Sequence, residues 1–280
     1  MPVPSSPATS SALSSRRVPF DFCILRFALC VLTFLSILTA KTLGPAQDRG
    51  RNADAAPPDD PVLRSVVHLL AVGPANRDQN RECSATGFLI NEDGYLITNW
   101  HVVEAAKRCL EEAPGAKILA KLAVTSPRTA QAVPCDVVAL DEPNDLALLK
   151  TERPLVPNPG GRLPYATLDP RAVAVGTAVR VSGYPEFAWQ LVTQAGHVTW
   201  RGRTALEEID DPLPNPSDAL GVDIHLRPGN SGSPVYLPGG GAIGVVDKRN
   251  PVQPSHSVAV AIHYAIELAQ RHGVRWHGVD

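Results

Sequence analysis

Almost every apolar run after residue 61 is cut short by proline, glycine or a polar turn. The chain carries 27 prolines and 21 glycines, a load that breaks helices and suits many short strands. Residues 65–72, 86–90 and 95–98 each read as a strand, and the last two flank Asn91-Glu-Asp-Gly94, a hairpin turn with glycine at the permissive position. Further strands are expected at 117–125, 131–140 and 146–150, then at 178–182, 190–200, 219–226, 234–237, 242–246 and 258–261. A Pro- and Gly-rich connection at 154–164 divides the two sets, and 211–217 is too rich in proline to be strand. Helices are expected only at 102–110 and at 262–272, where apolar residues recur at helical spacing and Gly273 stops them. The pattern predicts an all-β protein with a C-terminal helix and about six strands in each half.

The first sixty residues differ. Arg16 and Arg17 precede an apolar segment at 22–40, in which Arg26 stands just ahead of the uninterrupted run from Phe27 to Ala40. A bilayer span needs about 20 apolar residues, so this run is short for one. Basic residues ahead of such a run are the layout of an export signal, so 1–46 reads as a signal peptide or signal anchor. Residues 47–60, with few apolar side chains, read as a flexible linker, and 61–280 as the globular domain. The domain is therefore expected outside the cytoplasm, tethered to the membrane if the segment is retained.

A formal net charge of -2 offers nothing to nucleic acid. Cys83, Cys109 and Cys135 show no metal-ligand spacing; two of them pair in an oxidising compartment, or all three are small buried hydrophobes. The histidines do not cluster, and no metal or other cofactor is expected.

One stretch carries chemistry. In Gly229-Asn-Ser-Gly-Ser-Pro234, glycines on both sides of Ser231 allow a sharp turn that exposes the hydroxyl and faces main-chain N–H groups toward a substrate carbonyl. Serine needs a base, and His101, between an apolar strand and a short helix, offers one. Asp145, at the mouth of the strand 146–150, offers a carboxylate to orient it. Each residue alone has a more ordinary reading in a turn or a strand end. The three together, in one domain, point to nucleophilic acyl transfer.

Four segments resemble the HtrA/Deg-type branch of chymotrypsin-like serine proteases: T-G-F-L-I-N-E-D-G-Y-L-I-T-N-W-H-V-V from Thr86, N-D-L-A-L-L-K from Asn144, V-G-T-A-V-R-V-S-G-Y-P from Val175, and G-N-S-G-S-P from Gly229. The resemblance implies two six-stranded antiparallel β-barrels with a catalytic cleft between them. His101 and Asp145 would come from the first barrel and Ser231 from the second. The oxyanion hole would be the N–H groups of Gly229 and Ser231. It further implies an endopeptidase acting on exported or misfolded proteins, with protein or peptide substrates as partners. Ser233 stands where the family usually has glycine, and Trp100 where it varies. The residues after Ser231 are taken up by terminal strands and helix, so no PDZ domain is expected. His225 and Asp247 flank the expected specificity pocket. A non-catalytic peptide-binding relative would have lost a triad member. An esterase of the α/β-hydrolase kind would show a G-x-S-x-G elbow, which is absent here.

Overall fold

A computed structural model describes residues 60–72, 83–111, 117–122, 132–155, 162–187, 190–202, 218–249 and 255–279. The N-terminal apolar segment, the linker before residue 60 and the loop at 211–217 lie outside them. Among the described residues no helix is long and apolar enough to cross a membrane.

A short helix, α1 (Pro61–Ser65), opens the described chain. Asp60 caps it: its carboxylate accepts from the N–H groups of Val62 and Leu63, and the residue is itself buried. Asp60, the last residue of the linker expected at 47–60, is thus part of this cap. Pro61 at the first helical position loses no hydrogen bond, because that N–H has no partner in any helix. Then come β1 (Val66–Val72), β2 (Cys83–Leu89), β3 (Tyr95–Thr98), α2 (Trp100–Glu111), β4 (Lys117–Leu122), β5 (Ala132–Asp141) and β6 (Leu146–Thr151). These strands close a barrel in the order β1-β2-β3-β6-β5-β4. The second set is β7 (Ala178–Gly183), β8 (Val192–Gly202), β9 (Ala219–Val222), β10 (Pro234–Tyr236), β11 (Ala242–Arg249) and β12 (Ser257–Ala261), followed by α3 (Ile262–Arg271). They close a second barrel, β10-β11-β12-β9-β8-β7. All pairings between neighbouring strands are antiparallel. Closure leaves neither sheet with an open edge.

Three apolar clusters explain the runs in the sequence. Val67, Leu69, Leu89, Leu96, Ala147 and Leu149 fill the first barrel. Val179, Val181, Val198, Leu220, Val222 and Val235 fill the second. The third lies outside the barrel interiors, where Phe88, Ile97, Leu146 and Leu148 meet Tyr236, Val245, Val260 and the inner face of α3. Strands such as 146–149 are therefore buried on both faces: Ala147 and Leu149 point into the barrel while Leu146 and Leu148 point out to its neighbour. Burying one such leucine contributes about 1.5–3 kcal/mol.

Candidate active site

Strand pairing brings His101 and Asp145 together. β3 and β6 run antiparallel with Thr98 opposite Ala147, so the residues just after β3 lie beside those just before β6. Asn99 follows β3, and His101 is the second residue of α2. On the other side, β5 ends in a 3-10 turn at Glu142–Asn144, which delivers Asp145 in the left-handed region at φ 49°. Aspartate tolerates that conformation better than most residues. Asp145 is completely buried, and its main-chain oxygen accepts from the Asn99 side-chain amide at 3.0 Å.

The Asp145 carboxylate is divided between two donors on one residue. Oδ1 accepts the main-chain N–H of His101 at 2.8 Å, and Oδ2 lies 2.6 Å from His101 Nδ1. The second contact requires the proton on Nδ1, which leaves Nε2 as the basic nitrogen. Asp141, four residues earlier, is engaged elsewhere, with Asn144 and Arg271.

Ser231 sits in the loop between β9 and β10. Gly229 and Gly232 have φ values of 96° and 82°, and neither position has room for a Cβ. At Gly229 the Cβ would lie 2.2 Å from the Tyr184 oxygen, and at Gly232 2.1 Å from the Thr86 oxygen. The glycines read from the sequence are thus required by both conformation and space. The Ser231 hydroxyl donates to the main-chain oxygen of Asp247 at 3.4 Å, and among the described residues no hydrogen bond joins it to His101. Catalytic hydrogen bonds of an empty site are often open and tighten on binding.

The N–H groups of Gly229 and Ser231, expected from the sequence as oxyanion donors, are aimed by the carbonyls behind them. In a trans peptide the C=O and the following N–H point opposite ways. The Pro228 carbonyl accepts from Glu186 N–H at 2.6 Å, which turns Gly229 N–H the other way. The Asn230 carbonyl accepts from Ser233 N–H at 2.9 Å, which does the same for Ser231 N–H. Neither Gly229 N–H nor Ser231 N–H has an acceptor among the described residues. Glu186 holds its place in left-handed backbone, with φ 49°. A cavity of about 130 Å³ opens beside these groups, walled by His101, Gly229, Ser231 and the small apolar side chains of Ala71, Ala85 and Ala106.

Two residues that the sequence singled out around the site are buried. Asp247 is only 1% exposed, so it adds nothing to the surface a substrate meets. A β-bulge between Val246 and Lys248 turns its side chain inward, where one ligating atom each of His101, Asp145 and Asp247 lies within 4.8 Å of the others. That spacing suits a cation only if the imidazole gives up its bond to Asp145. Ser233 is fully buried, and its hydroxyl fits because Gly183 lacks a side chain: a Cβ there would lie 2.1 Å from Ser233 Oγ. Cys135 is a free, buried thiol, pushed up to about 12 by that burial; the side chains of Cys83 and Cys109 lie outside the described set. Thr86 and Asn99 were not singled out from the sequence. Both stand inside the histidine segment, but nothing in their spacing marks them as polar supports.

The model of the trypsin-like peptidase domain matches residues 85–245. The chain belongs to that family. A periplasmic serine endoprotease DegP-like protein of Chlamydia trachomatis, so named as probable, is 31% identical over 179 residues, covering 61% of this chain and 30% of its own. A Pseudomonas putida protein of the same name is 30% identical over 201 residues, covering 69% and 36%. This trypsin-like chain therefore spans about a third of the length of those relatives. Among solved structures, the active form of the Rv3671c protease from M. tuberculosis superposes with a TM-score of 0.58 at 20% identity, over 81% of this chain and 91% of that one. A single-substitution variant of the HtrA-type protease AlgW, with a tripeptide, superposes at 0.57 and 22%, over 77% and 63%. Both likenesses bear on the fold, which is the two-barrel fold that the HtrA resemblance implied.

Proposed function

We propose that this chain is a serine endopeptidase with His101, Asp145 and Ser231 as its triad. The observation that carries the reading is the pair of contacts from Asp145 to His101, made in the same cleft as Ser231 and two outward-facing N–H groups. His101 Nε2 takes the proton of Ser231 as its oxygen attacks the peptide carbonyl. The resulting oxyanion is bound by the N–H groups of Gly229 and Ser231. Collapse passes the proton from His101 to the leaving amine and leaves an acyl-enzyme, which water opens by the same steps. Exported or misfolded proteins are the substrates, and the periplasm is the compartment. The basic-flanked segment at 22–40 and the names of the DegP-like relatives support that setting.

The test is labelling with a fluorophosphonate probe together with casein digestion. Wild type is expected to react and to digest casein. Ser231→Ala should lose both, with turnover down by about 10⁶-fold, the loss known for the nucleophile of an unrelated serine protease. Removing one hydroxyl from a turn leaves the fold unchanged. An Ala variant that digests at the wild-type rate refutes the assignment. A wild type inert to probe and casein favours a peptide-binding role without catalysis.

A further inference from the structure

Thr86 is the point at which the first barrel holds the serine loop of the second. β2 pairs with β3 only through Phe88 and Leu89, so the stretch of β2 before them is open on that side. The Ser231 carbonyl occupies the opening, accepting from Thr86 N–H at 3.0 Å. The Thr86 hydroxyl donates to the Gly229 carbonyl at 2.8 Å and accepts from Tyr184 N–H at 3.0 Å. Its direction is fixed, because a carbonyl only accepts and an amide N–H only donates. The Thr86 carbonyl in turn accepts from the Thr98 hydroxyl at 2.8 Å, and the residue is fully buried.

Adding these bonds to those already described accounts for four successive carbonyls. Pro228 is held by Glu186, Gly229 by the Thr86 hydroxyl, Asn230 by Ser233 and Ser231 by the Thr86 amide. Two of the four anchors come from one residue of the opposite barrel. Without the hydroxyl, the peptide between Gly229 and Asn230 is held only at its N–H, which donates to the Arg227 carbonyl at 3.1 Å, and glycine at 229 has the rotational freedom to let its unanchored carbonyl swing. The two amides on either side then lose their common aim.

We infer that Thr86 is a positioning residue for the oxyanion hole, its hydroxyl making the docking of the two barrels a condition for Gly229 and Ser231 N–H to converge. This rests on the reading of those two groups as oxyanion donors. Deleting such a donor outright costs about 10²–10³ in kcat, and a misplacement of about 1 Å costs about 10². Thr86→Val, which keeps the shape and removes the hydroxyl, is expected to lower kcat by about 10- to 100-fold per active site, with KM changed less than about threefold.

The experiment uses the full chain. Active sites are counted with the fluorophosphonate, and turnover of fluorescent casein and of a p-nitrophenyl ester is expressed per counted site. Affinity for a peptide boronate, which forms a tetrahedral adduct, is measured beside it. Boronate affinity should fall in parallel with kcat, and Thr86→Ser should restore both to within about threefold of wild type. A purely structural role would lower the number of active sites and leave turnover per site and boronate affinity unchanged; that result overturns the proposal. So does a serine variant as impaired as the valine one. If Thr86→Val does not fold, Thr86→Ala is measured the same way against Thr86→Ser. A wild type without turnover refutes the peptidase reading itself, whereas an active wild type with an equally active valine variant refutes only the role of Thr86.

Discussion

At the residue scale the site turns on which nitrogen of His101 carries its proton. Asp145 accepts from Nδ1, which leaves Nε2 unprotonated, as the proposed triad needs of its base. Asp145→Asn keeps the acceptor for His101 N–H through its amide oxygen but faces Nδ1 with an NH₂ group. The ring must then accept at Nδ1 and carry its proton on Nε2, where it cannot take one from Ser231. The expected loss in kcat is about 10⁴, the value for the same change in a chymotrypsin-like protease, with casein turnover per site as the measurement. A near-normal rate would mean that Asp247, also close to the ring, holds it instead; Asp141, engaged by Arg271, is too occupied to do so. The cluster of His101, Asp145 and Ser231, the proposed triad, was legible in the sequence because each of the three sits in a distinctive local segment. Thr86, Asn99 and Asp247 were not, because their roles depend on partners 46 to 143 residues away or on a bulge that the residue pattern does not announce.

At the scale of elements, most strands stand where apolar runs and turn residues place them, and the edges show what the pattern misses. The run 65–72 gives its first residue to α1, because Asp60 supplies a cap that a reading of apolar residues overlooks. The run 219–226 is strand only to Val222; Ile224 and Leu226 lie past its end yet stay buried in the apolar cluster of the second barrel. β1 carries a further consequence. His68 is buried on it, bonded to Ser84 at 2.7 Å and stacked on Tyr184 of the other barrel at 4.3 Å. Burial, helped by Lys121, lowers its pKa to about 4 from 6.5. An unfolded chain takes up that proton near 6.5 and the folded one only near 4. The folded state therefore binds fewer protons in that window, and stability falls as pH drops through it. Above it neither state is protonated at His68 and the effect vanishes. The full loss is on the order of 3 kcal/mol. Urea midpoints measured from pH 7 to pH 4 should fall, and His68→Gln should flatten the decline; an equal slope in the variant would assign it to other groups.

At the scale of the whole molecule, the proposed export rests on the charge around the N-terminal apolar segment. Arg16, Arg17 and Arg26 precede the uninterrupted apolar run, and positive charge stays on the cytoplasmic side. On the proposed export, everything from Lys41 onward would follow across. Alkaline phosphatase fused after Asp60 should be active, and fractionation should report whether the segment is cut or kept; an inactive fusion found in the cytosol would refute export in both forms. Two-barrel closure was legible only through resemblance, since apolar runs give the number of strands but not the ring in which they pair. That ring has a consequence in time. A chain moving N-terminus first delivers His101 and Asp145 with the first barrel, while Ser231 waits on strands still to arrive. The second barrel closes only when β12 inserts between β9 and β11, near the very end. If the proposed triad and export hold, the emerging polypeptide has until then a base without a nucleophile, and it threads past its unfolded neighbours unarmed.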